Sequence, residues 1–319
     1  MLTRRVLPLP GLSSVKISPR RNLGDVVFKY TTLTFAVIVL LLVVLMAYEM
    51  YVESKPSLAK FGWDFFTSST WDPVREEYGA LPFIFGTMMS SLLALLIALP
   101  LSLGIAIFLS EMAPHWLERA LSFLVELLAG IPSIVYGLWG IFVLVPWIRT
   151  SVEPLLSTHL GFLPLFRGAP YGFGMLAAGF ILSIMILPII SSISRDVLKA
   201  VPQGQREASL AIGATKWESI RIILKDAKSG ILGATLLGLG RAIGETMAVT
   251  MVIGNRPTIS LSLFDPGYTM ASVLANEFTE ATTSMYVSAL VEIALLLFVI
   301  TIIVNILARF LVWSVTKKS

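Results

Sequence analysis

The chain of 319 residues has no cysteine, only two histidines (His115 and His159), and only 14% charged residues. Lack of cysteine excludes disulfides, thiolate zinc sites and cysteine nucleophiles together. Two histidines leave too few imidazoles for a histidine-based metal site. A soluble domain carries about 25% charged residues, so the low charge speaks against an ordinary cytosolic enzyme. The 56% hydrophobic content excludes a disordered chain as well.

What the sequence has instead is long apolar runs. Six are read: Tyr30–Tyr48, Phe83–Ser110, Ala120–Ile148, Gly172–Ser194, Gly230–Gly254 and Tyr286–Ala308. A helix needs about 20 apolar residues to cross the hydrocarbon core, and runs this long satisfy their backbone there as helices. The fold class expected is therefore an all-α integral membrane protein with six transmembrane helices. The first run is too long for a signal-peptide core, and no small-residue cleavage site follows it, so it reads as an uncleaved anchor.

Basic residues set the orientation. Tails and loops on the side of the N-terminus hold 17 Lys and Arg, and those on the other side hold 6. Both termini are expected in the cytoplasm, in a plasma (inner) membrane protein. The net charge of +4 reflects this bias, and no aromatic-interleaved basic patch points to nucleic acid. The expected organisation is a tail (1–29), a first span (30–48), an outer loop (49–82), a core of five spans (83–312) with an inner loop at 195–229, and a short tail (313–319). The outer loops 51–80 and 255–285 carry Trp63, Trp71, Arg256, Asp265, Glu277 and Glu280. They can receive a soluble partner or simply be solvated.

Four charged residues fall inside the six runs: Glu126, Arg241, Glu245 and Glu292. Each costs about 2.5–3.5 kcal/mol at mid-span, which makes it a functional candidate by default. Arg241 and Glu245 are four apart, on one face of a continuous helix. They are either a self-neutralising ion pair or the cationic lining of an anion path, since the planar guanidinium presents paired donors to an oxyanion. Gly240 and Gly244 add a GxxxG face for close helix approach. Glu126 and Glu292 read as interfacial or helix-to-helix hydrogen-bonding groups. Pro100, Pro132 and Pro188 punctuate the spans. Ser133 follows Pro132 and Thr87 lies in the second span, and both are candidate path-lining hydroxyls.

The inner loop is patterned rather than random. Pro202 can open a helix, Ala208, Ala211 and Ile212 share one face, Gly213 stops or bends the chain, and a second helix starts near Lys216. Such a short amphipathic helix either docks to a partner or lies on lipid. Glu207-Ala208-Ser209 followed by Gly213 resembles the EAA signature of ABC importer permeases. Gly238-Leu239-Gly240-Arg241-Ala242-Ile243-Gly244-Glu245-Thr246-Met247 resembles the signature of phosphate permeases. Ile131-Pro132-Ser133-Ile134-Val135-Tyr136-Gly137-Leu138-Trp139-Gly140, Trp71-Asp72-Pro73, Tyr78-Gly79-Ala80-Leu81-Pro82 and Ala275-Asn276-Glu277-Phe278 resemble the PstC-like members of that family rather than the PstA-like ones. The resemblance runs from about Asp25 to the C-terminus. Ser209 stands where the EAA triplet has its second alanine and is small enough to pack, and Lys225-Asp226 replaces the usual Leu-Pro.

The resemblance implies a type I ABC importer permease fold and one half of a phosphate path. Arg241 and Glu245 are then implicated in phosphate passage, and Glu207, Ala208, Ser209 and Gly213 couple to an ATPase. The partners implied are a PstA-like second permease, a PstB-like ATP-binding dimer that holds ATP and magnesium, and a PstS-like phosphate-binding protein. The chain itself has no GxxxxGK[ST] loop, so it is read as a non-catalytic subunit with no cofactor or metal of its own. A permease for molybdate or sulfate is the alternative, and an ion-coupled secondary carrier a second one. A membrane-embedded enzyme finds no nucleophile, base or metal constellation to build on.

Overall fold

The computed structural model describes residues 23–317, so the expected N-terminal tail (1–29) lies largely outside the described residues. Of the described residues, those up to Tyr48 form one unit and those from Glu49 on a second. The first helix, α1 (Leu23–Phe61), is longer at both ends than the run that announced it. Its apolar face up to Tyr48 is exposed, as a helix in contact with lipid requires.

In the second unit a two-stranded hairpin, β1 (Trp71–Asp72) and β2 (Glu77–Tyr78), leads into α2 (Leu81–Met112), whose last turn from Phe108 is a π-turn. There follow α3 (His115–Ala129), α4 (Ser133–Leu160), α5 (Met175–Ala200), α6 (Gln203–Ala211), α7 (Lys216–Ile243), α8 (Met247–Val252), α9 (Met270–Glu277) and α10 (Ser284–Lys317). Helix α5 is the central element: it packs on α2, α7, α3 and α8. Its buried face (Ile181, Leu182, Ile186, Ile190) joins Ala94, Ala98, Ile148, Val249 and Val252 in the main core. A second core of aromatics (Phe65, Tyr78, Phe83, Tyr268, Tyr286) closes one end of the bundle, and a small third core (Ala106, Leu198, Ile223, Ala227) closes the other.

Among the described residues five helices are long and apolar enough to cross a membrane: α1, α2, α4, α5 and α10. Two expected spans are corrected. The run 120–148 is not one helix, because the chain breaks at Gly130–Pro132 and Pro132 caps a new helix, α4, that continues to Leu160. What precedes the break, α3, has 15 residues and none of them buried; at 1.5 Å per residue it is too short to cross a core of about 30 Å. The run 230–254 is divided too, between the second half of α7 and α8, with Gly244–Thr246 as the break. Of the three punctuating prolines only Pro132 ends a helix, since α2 continues through Pro100 and α5 through Pro188.

Candidate functional site

Glycine builds the seat of the first site. A Cβ at Gly137 would lie 2.4 Å from Met251 Sδ and 3.2 Å from Ala248 Cα, and one at Gly140 would lie 2.7 Å from a Val252 methyl. The first turns of α4 therefore lie directly against α8, which brings the segment 131–140 onto the segment 238–249. Tyr136, 7% exposed, donates its hydroxyl to the Leu128 carbonyl at 2.8 Å and lies within electrostatic reach of Arg241.

The break changes the relation of Arg241 to Glu245. The two do not share the face of a continuous helix: α7 ends at Ile243, and Glu245 sits in the turn before α8. Glu245 is 9% exposed, and its Oε1 accepts the Ala248 N–H at 3.4 Å. The carboxylate holds the start of α8, where the unpaired N–H groups of a helix favour negative charge. Arg241 is exposed in the last turn of α7, and among the described residues no carboxylate lies within 4 Å of it. A Cβ at Gly233 or Gly240 would meet nothing within 4 Å, whereas Gly230 and Gly238 are pressed against Val197 and Ile190 of α5. The glycine face expected to tighten the bundle is thus mostly open beside the free guanidinium.

The other expected path residues separate. Ser133 opens α4, partly exposed, three positions before Tyr136. Thr87 is 1% exposed, donates to the Phe83 carbonyl at 2.8 Å and accepts the Met270 N–H at 2.9 Å. With its hydroxyl spent on joining α2 to α9, it serves packing in this conformation and lines no open face.

The second site is α6. Pro202 caps it and Gly213, at φ +87°, reverses the chain after it. Thr215 then starts α7 with a capping box in which Glu218 returns the hydrogen bond. These bonds hold the Glu218 carboxyl below its ordinary value. Ser209 is buried, its Oγ donating to the Arg206 carbonyl and hydrogen-bonded with Ser219 Oγ, each at 2.8 Å. Glu207, Ala208 and Ala211 are exposed. Leu210 is 51%, Ile212 84% and Trp217 58% exposed. An apolar surface beside a carboxylate is presented outward by α6, the turn after it and the start of α7.

Sequence reasoning missed what anchors that helix. Arg206 bonds Glu111 at the end of α2 through Nη2–Oε1 (2.9 Å) and Nε–Oε2 (3.2 Å), and donates to the carbonyls of Leu198 and Val201 at 2.7 Å each. Arg195 of α5 bonds Glu126 of α3 at 3.3 Å and Asp196 at 2.8 Å. Glu126 is therefore a helix-to-helix group, on an amphipathic helix and not inside a span. Lys199 pairs with Glu118 of α3. Glu292 is 2% exposed, with neither carboxylate oxygen hydrogen-bonded.

At the opposite end two distant motifs meet. Trp71 Nε1 and the Tyr286 hydroxyl both donate to Glu277 Oε2, at 2.7 and 2.6 Å. Trp71 also stands edge-on to Tyr78 and Phe83. Burial raises the Tyr78 and Tyr268 phenols above their ordinary values. The hairpin is locked to α9 and α10 by one carboxylate.

Comparison with known proteins agrees with this architecture. Residues 98–317 match the family described as binding-protein-dependent transport system inner membrane component. The chain is 46% identical to the phosphate transport system permease protein PstC of Mesorhizobium japonicum, over 98% of this chain and 97% of that one. It is 47% identical to the protein of the same name from Haemophilus influenzae (89% and 92% covered). A probable PstC of Methanocaldococcus jannaschii is 38% identical (88% and 91% covered). Among solved structures, a chain of the inward-facing MetNI methionine ABC transporter has a TM-score of 0.54 at 18% identity, covering 77% of this chain and 99% of that one, a likeness of fold alone.

Proposed function

The chain belongs to the binding-protein-dependent transport system inner membrane component family, and on that premise we propose that it is the permease subunit of an ATP-driven phosphate importer, the task named for its PstC relatives. It forms one half of the translocation path. A second, PstA-like permease covers the open face beside Arg241, a PstB-like ATPase dimer binds ATP and magnesium and seats α6, and a PstS-like binding protein delivers phosphate to the opposite end. Both termini then lie in the cytoplasm. The observation that carries this reading is the exposed Arg241 guanidinium, without a carboxylate partner among the described residues, at the open side of a helix break.

Mechanism follows from the parts. Closure of the motor moves α6, and the Arg206–Glu111 fork passes that movement to α2 and α5. The bundle rocks, and phosphate passes Arg241, whose planar donors fit two of its oxygens. Glu245, tied to the start of α8, keeps the break in shape. Arg241→Gln tests the reading: phosphate uptake falls while the complex still assembles. Unaltered uptake would leave Arg241 a structural residue.

A further inference from the structure

A second cationic group stands at the other end of α8, away from Arg241. Gly254, two residues past α8, lines a cavity of about 420 Å³ together with Arg149, Pro170, Tyr171, Phe173 and Pro266. Arg149 is exposed, and no carboxylate among the described residues comes within 4 Å of it. It sits in a π-turn, Ile148–Val152, inside α4, and single π-turns occur frequently at functional sites.

The cavity wall is built with care. Glu153, one turn beyond Arg149, is 1% exposed. Its two oxygens accept the Gly172 N–H at 3.2 and 3.0 Å, which draws the loop 168–174 down onto α4. Gly172, at φ +77°, allows this: a Cβ there would lie 2.6 Å from the Val145 carbonyl and 2.8 Å from Arg149 Cβ. The carboxylate is thus committed to the wall. The nearby Asp265 is committed too, accepting Ser260 Oγ at 2.5 Å, and neither acid lines the cavity. The space is lined by Arg149 and Tyr171 together with Phe173, Pro170, Pro266 and Gly254, and of these the guanidinium and the phenol are the groups that can donate to a tetrahedral oxyanion.

α8 rises about 9 Å over its six residues at 1.5 Å per residue. The two arginines therefore flank α8, Arg241 before it and Arg149 beside its far end. We propose that Arg149 and Tyr171 form an outer binding site for free inorganic phosphate, where the ion rests before it passes along α8 to Arg241. The inference rests on the permease reading for its direction, outside to inside, and on the cavity for its chemistry.

The test uses the assembled complex, in lipid vesicles and in detergent. Arginine modification by phenylglyoxal is followed at Arg149 by peptide mass spectrometry, with and without inorganic phosphate. Phosphate is expected to slow modification of Arg149 several-fold in both settings. Arg149→Gln is expected to lower uptake per ATP hydrolysed about tenfold or more, the loss of one charge-assisted pair, and Arg149→Lys to recover part of it. If the wild-type complex transports phosphate while Arg149 reacts equally fast with and without the ion, the outer site is wrong and the permease reading stands. If Arg149 is shielded in vesicles without added phosphate and loses that shield in detergent, a lipid headgroup is the occupant and the proposal falls. If phosphate shields Arg149 in a complex that transports none, the site stands and the permease reading fails.

Discussion

Arg206 and Glu111, 95 residues apart, meet in a two-pronged ion pair whose shorter contact is 2.9 Å. The pair joins the short exposed helix to the end of a long one, and the remaining guanidinium N–H groups hold two carbonyls at the end of α5. Removing either partner strands the other in a site where both side chains are mostly covered, 21% and 10% exposed. Arg206→Ala and Glu111→Ala should each lower stability by about 1–3 kcal/mol. The double variant should cost less than the sum, with a coupling of about 0.5–3 kcal/mol. Thermal unfolding of the purified chain in detergent checks this, and additive losses would mean that the two side chains act independently.

The exposed side of α6 carries the coupling role. Glu207→Trp and Gly213→Val leave the bundle core untouched, since neither position is buried. Gly213 is at φ +87°, so a β-branched residue there also strains the turn. ATP hydrolysis by the complex should become independent of binding protein and phosphate uptake should fall by about tenfold or more, an effect equivalent to roughly 1.4 kcal/mol. Simultaneous uptake and phosphate-release assays check it, and full coupling in both variants would remove α6 from the mechanism.

Close approach of α4 to α8 depends on Gly137. Gly137→Leu places a side chain where Met251 and Ala248 already stand, and overpacking of this kind costs about 1–3 kcal/mol. The same change moves the break next to Arg241, so transport should fall further than stability does. Uptake normalised to the amount of assembled complex separates the two effects.

The capping box at Thr215 gives the coupling segment a pH signature. Hydrogen bonds from the Thr215 backbone and hydroxyl hold the Glu218 carboxyl below its ordinary value of 4.5. A carboxylate lowered in this way stabilises the fold above its unfolded value, and the contribution is lost as pH falls through the lower folded value. Glu218→Gln should therefore flatten the stability profile between about pH 4.5 and the folded value, and leave its slope above pH 6 unchanged. Unfolding temperatures of the two proteins across that window check the sign.

The coupling segment was legible because its signals are local. Pro202, Gly213 and the start near Lys216 all fall where expected, each set by a backbone preference of the residue itself. The helix break at Gly130–Pro132 was not legible, because apolar residues continue on both sides and hydropathy does not distinguish a kink from an end. Nor was the break at Gly244–Thr246, where Arg241 and Glu245 keep an i, i+4 spacing that only the structure cancels. Arg149 and Glu153 read as loop residues from the sequence because charge ends the apolar run at Ile148, whereas α4 continues to Leu160. Trp71 and Glu277 were both named in the sequence. Their hydrogen bond spans 206 residues, and no periodicity or spacing reports a contact of that range.

The most direct test of the account is uptake of labelled phosphate by the complete complex, reconstituted in vesicles with its binding protein. Uptake should require ATP, should vanish when this chain is omitted, and should persist in excess sulfate or molybdate. Uptake by this chain alone without ATP, or equal competition by either oxyanion, would contradict it.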